Sequence, residues 1–109
     1  MLVEPELFRS LPVLSGYENH AGHTVRDPGL PALGRVRAGV GNGDGTDGAV
    51  SGRVVGTYLH GPVLARNPEL ADLLLANVVA DLPPLDDTAS HEVRKARRPV
   101  ARRWRRSAR

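Results

Sequence analysis

A chain of 109 residues has room for one domain, and its 40% apolar content suits a folded protein, but Gly 12, Pro 9 and only four aromatic residues point to many turns around a thin core and a marginal fold. With no cysteine, a disulfide framework, a thiolate metal site and any cysteine chemistry carried by this segment are excluded. The isoelectric point of about 10.2 hides a segregated charge: six Arg stand against twelve acids in residues 1–93, a balance of −6, while residues 94–109 carry nine Lys or Arg and no acid, so the body is acidic and the two parts are read separately.

The N-terminal MLVEPELF lacks the basic and then apolar order of a secretory signal. No stretch reaches the roughly 18 to 20 apolar residues that cross a bilayer, and a cytoplasmic location is expected by default. Residues 1–14 read as extended or looped, broken by Pro5 and Pro12. Gly16 to Thr24, GYENHAGHT, is a short polar-aromatic strand or turn. Leu33 to Val40 alternates as a strand, with Val36, Ala38 and Val40 on one face and Arg35 and Arg37 on the other. A Gly/Asn/Asp loop, Gly41 to Gly48, leads to a second strand over Ala49 to Leu59. Its continuous apolar run from Val54 predicts burial on both faces, and the two strands are expected to pair as a hairpin. Asn67 is the expected N-cap of a helix to about Ala80, with Pro68 first, Glu69 in the first turn, and Leu70, Leu73, Leu74 and Val78 at helical spacing. Pro83-Pro84 ends it, and Asp86 to Val93 reads as a short turn or helix. In Arg94 to Arg109 like charges repel and little apolar surface is available, so this segment is read as a disordered basic tail.

His60 follows the second strand and precedes Gly61-Pro62 and the helix. In open α/β sheets such strand ends line the ligand crevice, which suits a catalytic group; the plain alternative is an inconsequential loop histidine. Histidine can take a proton from a nucleophile and return it to a leaving amine. A nucleophile is then needed, and none of the serines lies in a Gly-x-Ser-x-Gly elbow, which argues against a self-contained serine hydrolase. Gly43 to Gly48 formally matches a dinucleotide fingerprint, but a strand rather than a helix follows it. As a calcium loop starting at Asn42, it would place Asp47 where glycine belongs and Arg53 where glutamate belongs. The loop is therefore read as a hairpin connection. His20 and His23 form an H-x-x-H pair without the helix or further ligands of a metal site. Glu18 and His20 fall on the same side of a strand, a spacing open to an active-site role or to a structural hydrogen bond. The Arg-rich tail admits binding to RNA or anionic lipid, with Trp104 stacking on a base, beside the simpler reading of a solvated extension.

Taken together, GYENHAGHT at Gly16 to Thr24, GNGDGTDGAVSG at Gly41 to Gly52 and GTYLHGPVLARNPELADLLL at Gly56 to Leu75 resemble the glutamine amidotransferases of the cobyric acid synthase (CobB/CobQ-like) type. Within that group the resemblance is strongest to the GatD branch, the glutaminase subunits of lipid II isoglutaminyl synthase. It implies a class I, flavodoxin-like α/β domain of which residues 1–93 form the C-terminal portion, and it makes His60 the counterpart of the family's catalytic histidine. The family mechanism is attack of a cysteine thiolate on the glutamine side-chain amide, giving a thioester and ammonia, followed by hydrolysis to glutamate. The nucleophile-bearing half is expected to precede Met1, so this chain alone is expected to be inactive. Many class I enzymes have glutamate two residues after the histidine, where this chain has Pro62; Glu18 and His20 are the candidate supporting residues. The resemblance further implies a MurT-like partner of the Mur-ligase family that binds ATP and Mg and amidates lipid II, with no metal or cofactor on this chain. The runner-up readings are a cobyric or cobyrinic acid synthase-type amidotransferase fragment and a non-enzymatic basic-tailed module binding RNA or membrane.

Overall fold

The computed structural model describes residues 1–107, with side chains described through Pro99. It is a mixed α/β arrangement. Four short strands, β1 (Leu2–Pro5), β2 (Leu14–Ser15), β3 (Gly34–Ala38) and β4 (Thr46–Asp47), form one sheet in the order β2-β1-β3-β4. Strands β5 (Ala49–Ser51) and β6 (Val54–Gly56) form a separate pair. Three helices follow: α1 (Val63–Arg66), α2 (Pro68–Leu75) and α3 (Thr88–Ser107). Every strand pairing among the described residues is antiparallel, the form that loops without a crossover helix can connect.

The expected hairpin is replaced by two tighter ones. β3 turns back onto β4, pairing Gly34 with Asp47 and Arg35 with Thr46, while its other edge pairs with β1. The run from Ala49 to Leu59 is not one strand: Gly52, at φ +57°, turns it back on itself, so Ser51 pairs with Val54 and Ala49 with Gly56. Only glycine reaches that left-handed region readily. The continuous apolar run therefore does not signal two covered faces. Val54 is 70% exposed, and burial resumes only at Leu59.

The core lies where the two sheets and the short helices meet. Val3, Leu11, Leu14, Leu33, Val50, Leu59 and Leu70 form one buried cluster, joined at its margin by Met1, Phe8, Val55, Val63, Leu73 and Leu74. Leu70, Leu73 and Leu74 face it from α2, as their helical spacing predicts. The helix stops at Leu75 rather than Ala80: the Asn77 side chain turns back to the Leu73 and Leu74 carbonyls, and Val78 is left exposed.

Asn67 does precede α2, but its side chain does not cap the helix. It is fully buried, and its amide closes a two-way bond with β2: Oδ1 accepts from Ser15 N–H at 2.9 Å, and Nδ2 donates to Ser15 O at 2.9 Å and to Val63 O at 2.6 Å. One side chain thus ties the outer strand of the larger sheet to α1 and α2.

The segment from Arg94 to Ser107, expected to be disordered, continues α3. Asp86 accepts from the Thr88 amide and hydroxyl at the helix start, and Ala, Arg and Lys are strong helix formers. At the start of this stretch Arg94 meets α2 in a bidentate pair with Glu69, at 2.6 and 2.8 Å, with His91 at 3.0 Å from the same carboxylate. Arg94 holds the Glu69 carboxyl down to about 2, with His91 adding to the effect. Ala108, Arg109 and the Trp104 side chain lie outside the described residues and side chains. None of the described helices is long and apolar enough to cross a membrane.

Replacing Asn67 by Ala would strand the buried Ser15 N–H and C=O. Each unsatisfied group costs about 1–3 kcal/mol, so thermal unfolding of Asn67→Ala is expected to show a loss of about 3 kcal/mol; an unchanged transition would contradict the assigned bonds.

Candidate active site

The approach to His60 is fixed by Asp47. This carboxylate is fully buried at the end of β4, where Oδ2 accepts from the Thr57 hydroxyl and Oδ1 accepts from the Tyr58 N–H at 3.0 Å. The Asp47 backbone carbonyl also accepts from Leu33 N–H at 2.9 Å. Burial pushes the Asp47 carboxyl above its ordinary range, against the bonds from Thr57 and Tyr58. Thr57 in turn accepts from Leu59 N–H at 3.0 Å. Thr57 and Tyr58 are therefore held by the Asp47 side chain from β4, and Leu59 by the Thr57 hydroxyl, rather than by a strand ladder.

His60 itself is joined to the Gly16–Thr24 segment. Its N–H donates to Tyr17 O at 2.7 Å in an isolated antiparallel bridge, and the two rings stack with centroids 5.1 Å apart and planes 15° from parallel. Nδ1 accepts from the Gly61 amide at 2.9 Å. Nε2 has no hydrogen-bond partner among the described residues, and the residue is exposed, so an incoming group can exchange a proton with it.

Glu18 and His20 are brought together, but not onto His60. Glu18 accepts at Oε1 from His20 Nε2 at 2.9 Å and from Gly41 N–H at 2.7 Å, and at Oε2 from Val40 N–H at 2.9 Å. Burial raises the Glu18 carboxyl, but the bonds from His20, Gly41 and Val40 outweigh it and hold the group below its ordinary range. His20 is raised, first by its bond to Glu18 and then by that to the Gly22 carbonyl. Its ring stacks on Tyr58 at 3.8 Å. His20 and His60 both line a shallow hollow of about 240 Å³, together with Asn19, Thr57, Tyr58, Leu59 and Gly61.

The loop that Glu18 grips is organised by Asn42. This buried amide donates to Thr46 Oγ1 and Gly48 O and accepts from Gly48 N–H, at 2.9–3.0 Å. Gly39 and Gly41 have φ of +120° and +60°, and a Cβ at Gly39 would collide with the Glu18 carboxylate. No group of three or more His, Cys, Asp or Glu able to hold a metal is formed among the described residues. The sequence offers Asn42 and Asp47 only as positions of a rejected calcium loop, and gives Tyr17 and Tyr58 no role. Asp47 and Asn42 fall in a stretch whose composition spells only a turn, and nothing in their spacing signals burial.

His60, preceded by Gly-Thr-Tyr-Leu, lies beyond the end of β6 at Gly56 and is bridged to Tyr17, the residue before the Glu-Asn-His run. Residues 4–68 match the CobB/CobQ-like glutamine amidotransferase domain, and the chain belongs to that family. Over 77 residues it is 40% identical to the lipid II isoglutaminyl synthase (glutamine-hydrolysing) subunit GatD of Staphylococcus aureus, a match covering 69% of this chain and 30% of that protein. The GatD subunit of Streptococcus pneumoniae is 34% identical over 87 residues, covering 72% and 34%. A probable cobyric acid synthase of Methanothermobacter thermautotrophicus is 52% identical over 50 residues, covering 44% and 10%. The chain thus spans about a third of the length of the two GatD relatives. No solved structure matches it.

The Glu18–His20 pair has a defined pH window. The Glu18 carboxyl lies below 4.5, so its stabilisation is present above that pH and lost as pH falls through the depressed value. The His20 imidazole lies above 6.5, so its stabilisation is complete below 6.5 and lost as pH rises through the raised value. Both act fully between 4.5 and 6.5. The Tm deficit of Glu18→Gln is expected to peak there, vanish in acid, and shrink in base to what the Val40 and Gly41 amides retain. A deficit independent of pH would refute the pair.

Proposed function

We propose that the chain is the histidine-bearing part of the glutamine-hydrolysing subunit of a lipid II isoglutaminyl synthase, acting in peptidoglycan precursor amidation in the cytoplasm. The observation that carries this reading is the placement of His60. It stands exposed beside a hollow, clamped by Tyr17 and by the Asp47-held residues Thr57 and Tyr58, within the segment that matches the amidotransferase family. The names of the two GatD relatives support the lipid II assignment. The parent domain in this reading is class I and flavodoxin-like.

The chemistry needs a thiolate, which this cysteine-free sequence does not supply. His60 takes the thiol proton, and the thiolate adds to the glutamine side-chain carbonyl. Collapse of the tetrahedral adduct expels the amine, to which His60 returns the proton, leaving a thioester and ammonia. Water, deprotonated by the same imidazole, adds to the thioester and releases glutamate and the thiol. The ammonia would serve a MurT-like partner of the Mur-ligase family, whose ATP and Mg would supply the activation of the lipid II acceptor carboxyl. The chain alone hydrolyses no glutamine. A cobyric acid synthase-type role is the second reading, supported by the 52% identity over 50 residues.

The test is a chimera in which residues 4–68 replace the corresponding segment of the Staphylococcus aureus subunit. Glutamate release is expected from the chimera and a loss of about 10³-fold or more from His60→Ala, with no release from this chain alone. A folded chimera whose activity survives His60→Ala would overturn the role of His60. Glutaminase activity that supports amidation by a cobyric acid synthase but not by the lipid II partner subunit would favour the second reading.

A further inference from the structure

Of the two histidines lining the hollow, His20 has the more constrained ring. Nε2 lies 2.9 Å from Glu18 Oε1, and Nδ1 lies 2.9 Å from the Gly22 carbonyl oxygen. A carboxylate and a carbonyl only accept, so each ring nitrogen must carry a proton. A neutral imidazole has one N–H and would set a lone pair against one of the two oxygens. We infer that His20 is held as an imidazolium and, granted the amidotransferase reading of His60, that it is a positioning residue for His60.

The tie runs along two paths. Through Glu18, the imidazolium is linked to the Val40 and Gly41 amides at the mouth of the Asn42 loop. Across its ring face it lies 3.8 Å from Tyr58, with planes 20° apart, a cation over an aromatic ring. Tyr58 is bonded through its amide to Asp47 and stands two residues before His60. Loss of the proton breaks one of the two ring bonds and removes the attraction to Tyr58, so the wall of the hollow shared with His60 loosens.

The charged and titratable groups facing His20 have distinct effects. Glu18 and, more weakly, Asp47 favour the charged ring, whereas desolvation opposes it. The Met1 ammonium, which donates to Gly16 O at 2.5 Å, favours ionised Glu18. Tyr58 contributes its ring face, and His60 shares the hollow.

The test is nitrogen NMR of the full chain with labelled histidines, titrated over about pH 5 to 9. Imidazolium shifts are expected at both His20 nitrogens near pH 7, and the Val40, Gly41 and His60 amides are expected to move with the His20 midpoint. Glu18→Gln is expected to lower that midpoint by about one pH unit or more and to abolish the co-titration of Val40 and Gly41. A single neutral tautomer near pH 7 overturns the charge assignment. A His60 amide that does not follow the His20 midpoint overturns the positioning role, and the wild-type titration decides both points even where Glu18→Gln fails to fold. The readout needs no glutamine hydrolysis, so a positive titration beside an inactive chimera would count against the amidotransferase reading alone.

Discussion

The buried carboxylate of Asp47 joins the two sheets. Its backbone belongs to β4, paired with Gly34, and its side chain reaches across to Thr57 and Tyr58 on the chain leaving β6. A buried carboxyl without partners is costly, so the Thr57 hydroxyl and the Tyr58 amide must stay where they are for the fold to persist. That constraint delivers the next residues, Leu59 into the core and His60 to the surface. The close approach continues at Gly48, φ +68°, where a Cβ would run into the Gly56 carbonyl.

Polar side chains do this work because the core is thin. Among the described residues seven form the buried apolar cluster, and the strands are two to five residues long, too short for ladder hydrogen bonds alone to fix their ends. Buried amides and carboxylates supply the missing restraint. Asn67 ties β2 to the helices, Asn42 shapes the loop after β3, and Glu18 draws that loop to the His20 segment. Each bond also gives direction, which apolar contact does not. His60 consequently sits on a braced surface although its own ring is bound on one side only.

Much of this was legible in the sequence where local chemistry decides the outcome. Pro68 and the spacing of Leu70, Leu73 and Leu74 announced α2, and the Val36 and Ala38 alternation announced β3. The Glu18 and His20 spacing left a structural hydrogen bond open as one of two outcomes, and that bond is present. What escaped depends on contacts between distant residues. The Ala49–Leu59 run looked like one buried strand because apolar periodicity cannot register the turn at Gly52. Asn67 looked like a helix cap because its preference for that position is local, whereas its bonds to Ser15 span 52 positions. Arg94 looked solvated because its partner, Glu69, lies 25 residues away. Asp47 was invisible as an anchor for the same reason.

The proposed role of His60, as the proton-exchanging group of an amidotransferase centre, is tested most directly by the crystal structure of a complete amidotransferase domain carrying this segment, with the cysteine trapped by a glutamine analogue as a covalent adduct. The prediction is a His60 ring nitrogen within roughly 2.6–3.2 Å of the adduct sulfur or its departing group, with the Tyr17 bridge and the Asp47 bonds to Thr57 and Tyr58 intact. A different side chain in that position, with His60 turned to solvent, would contradict it.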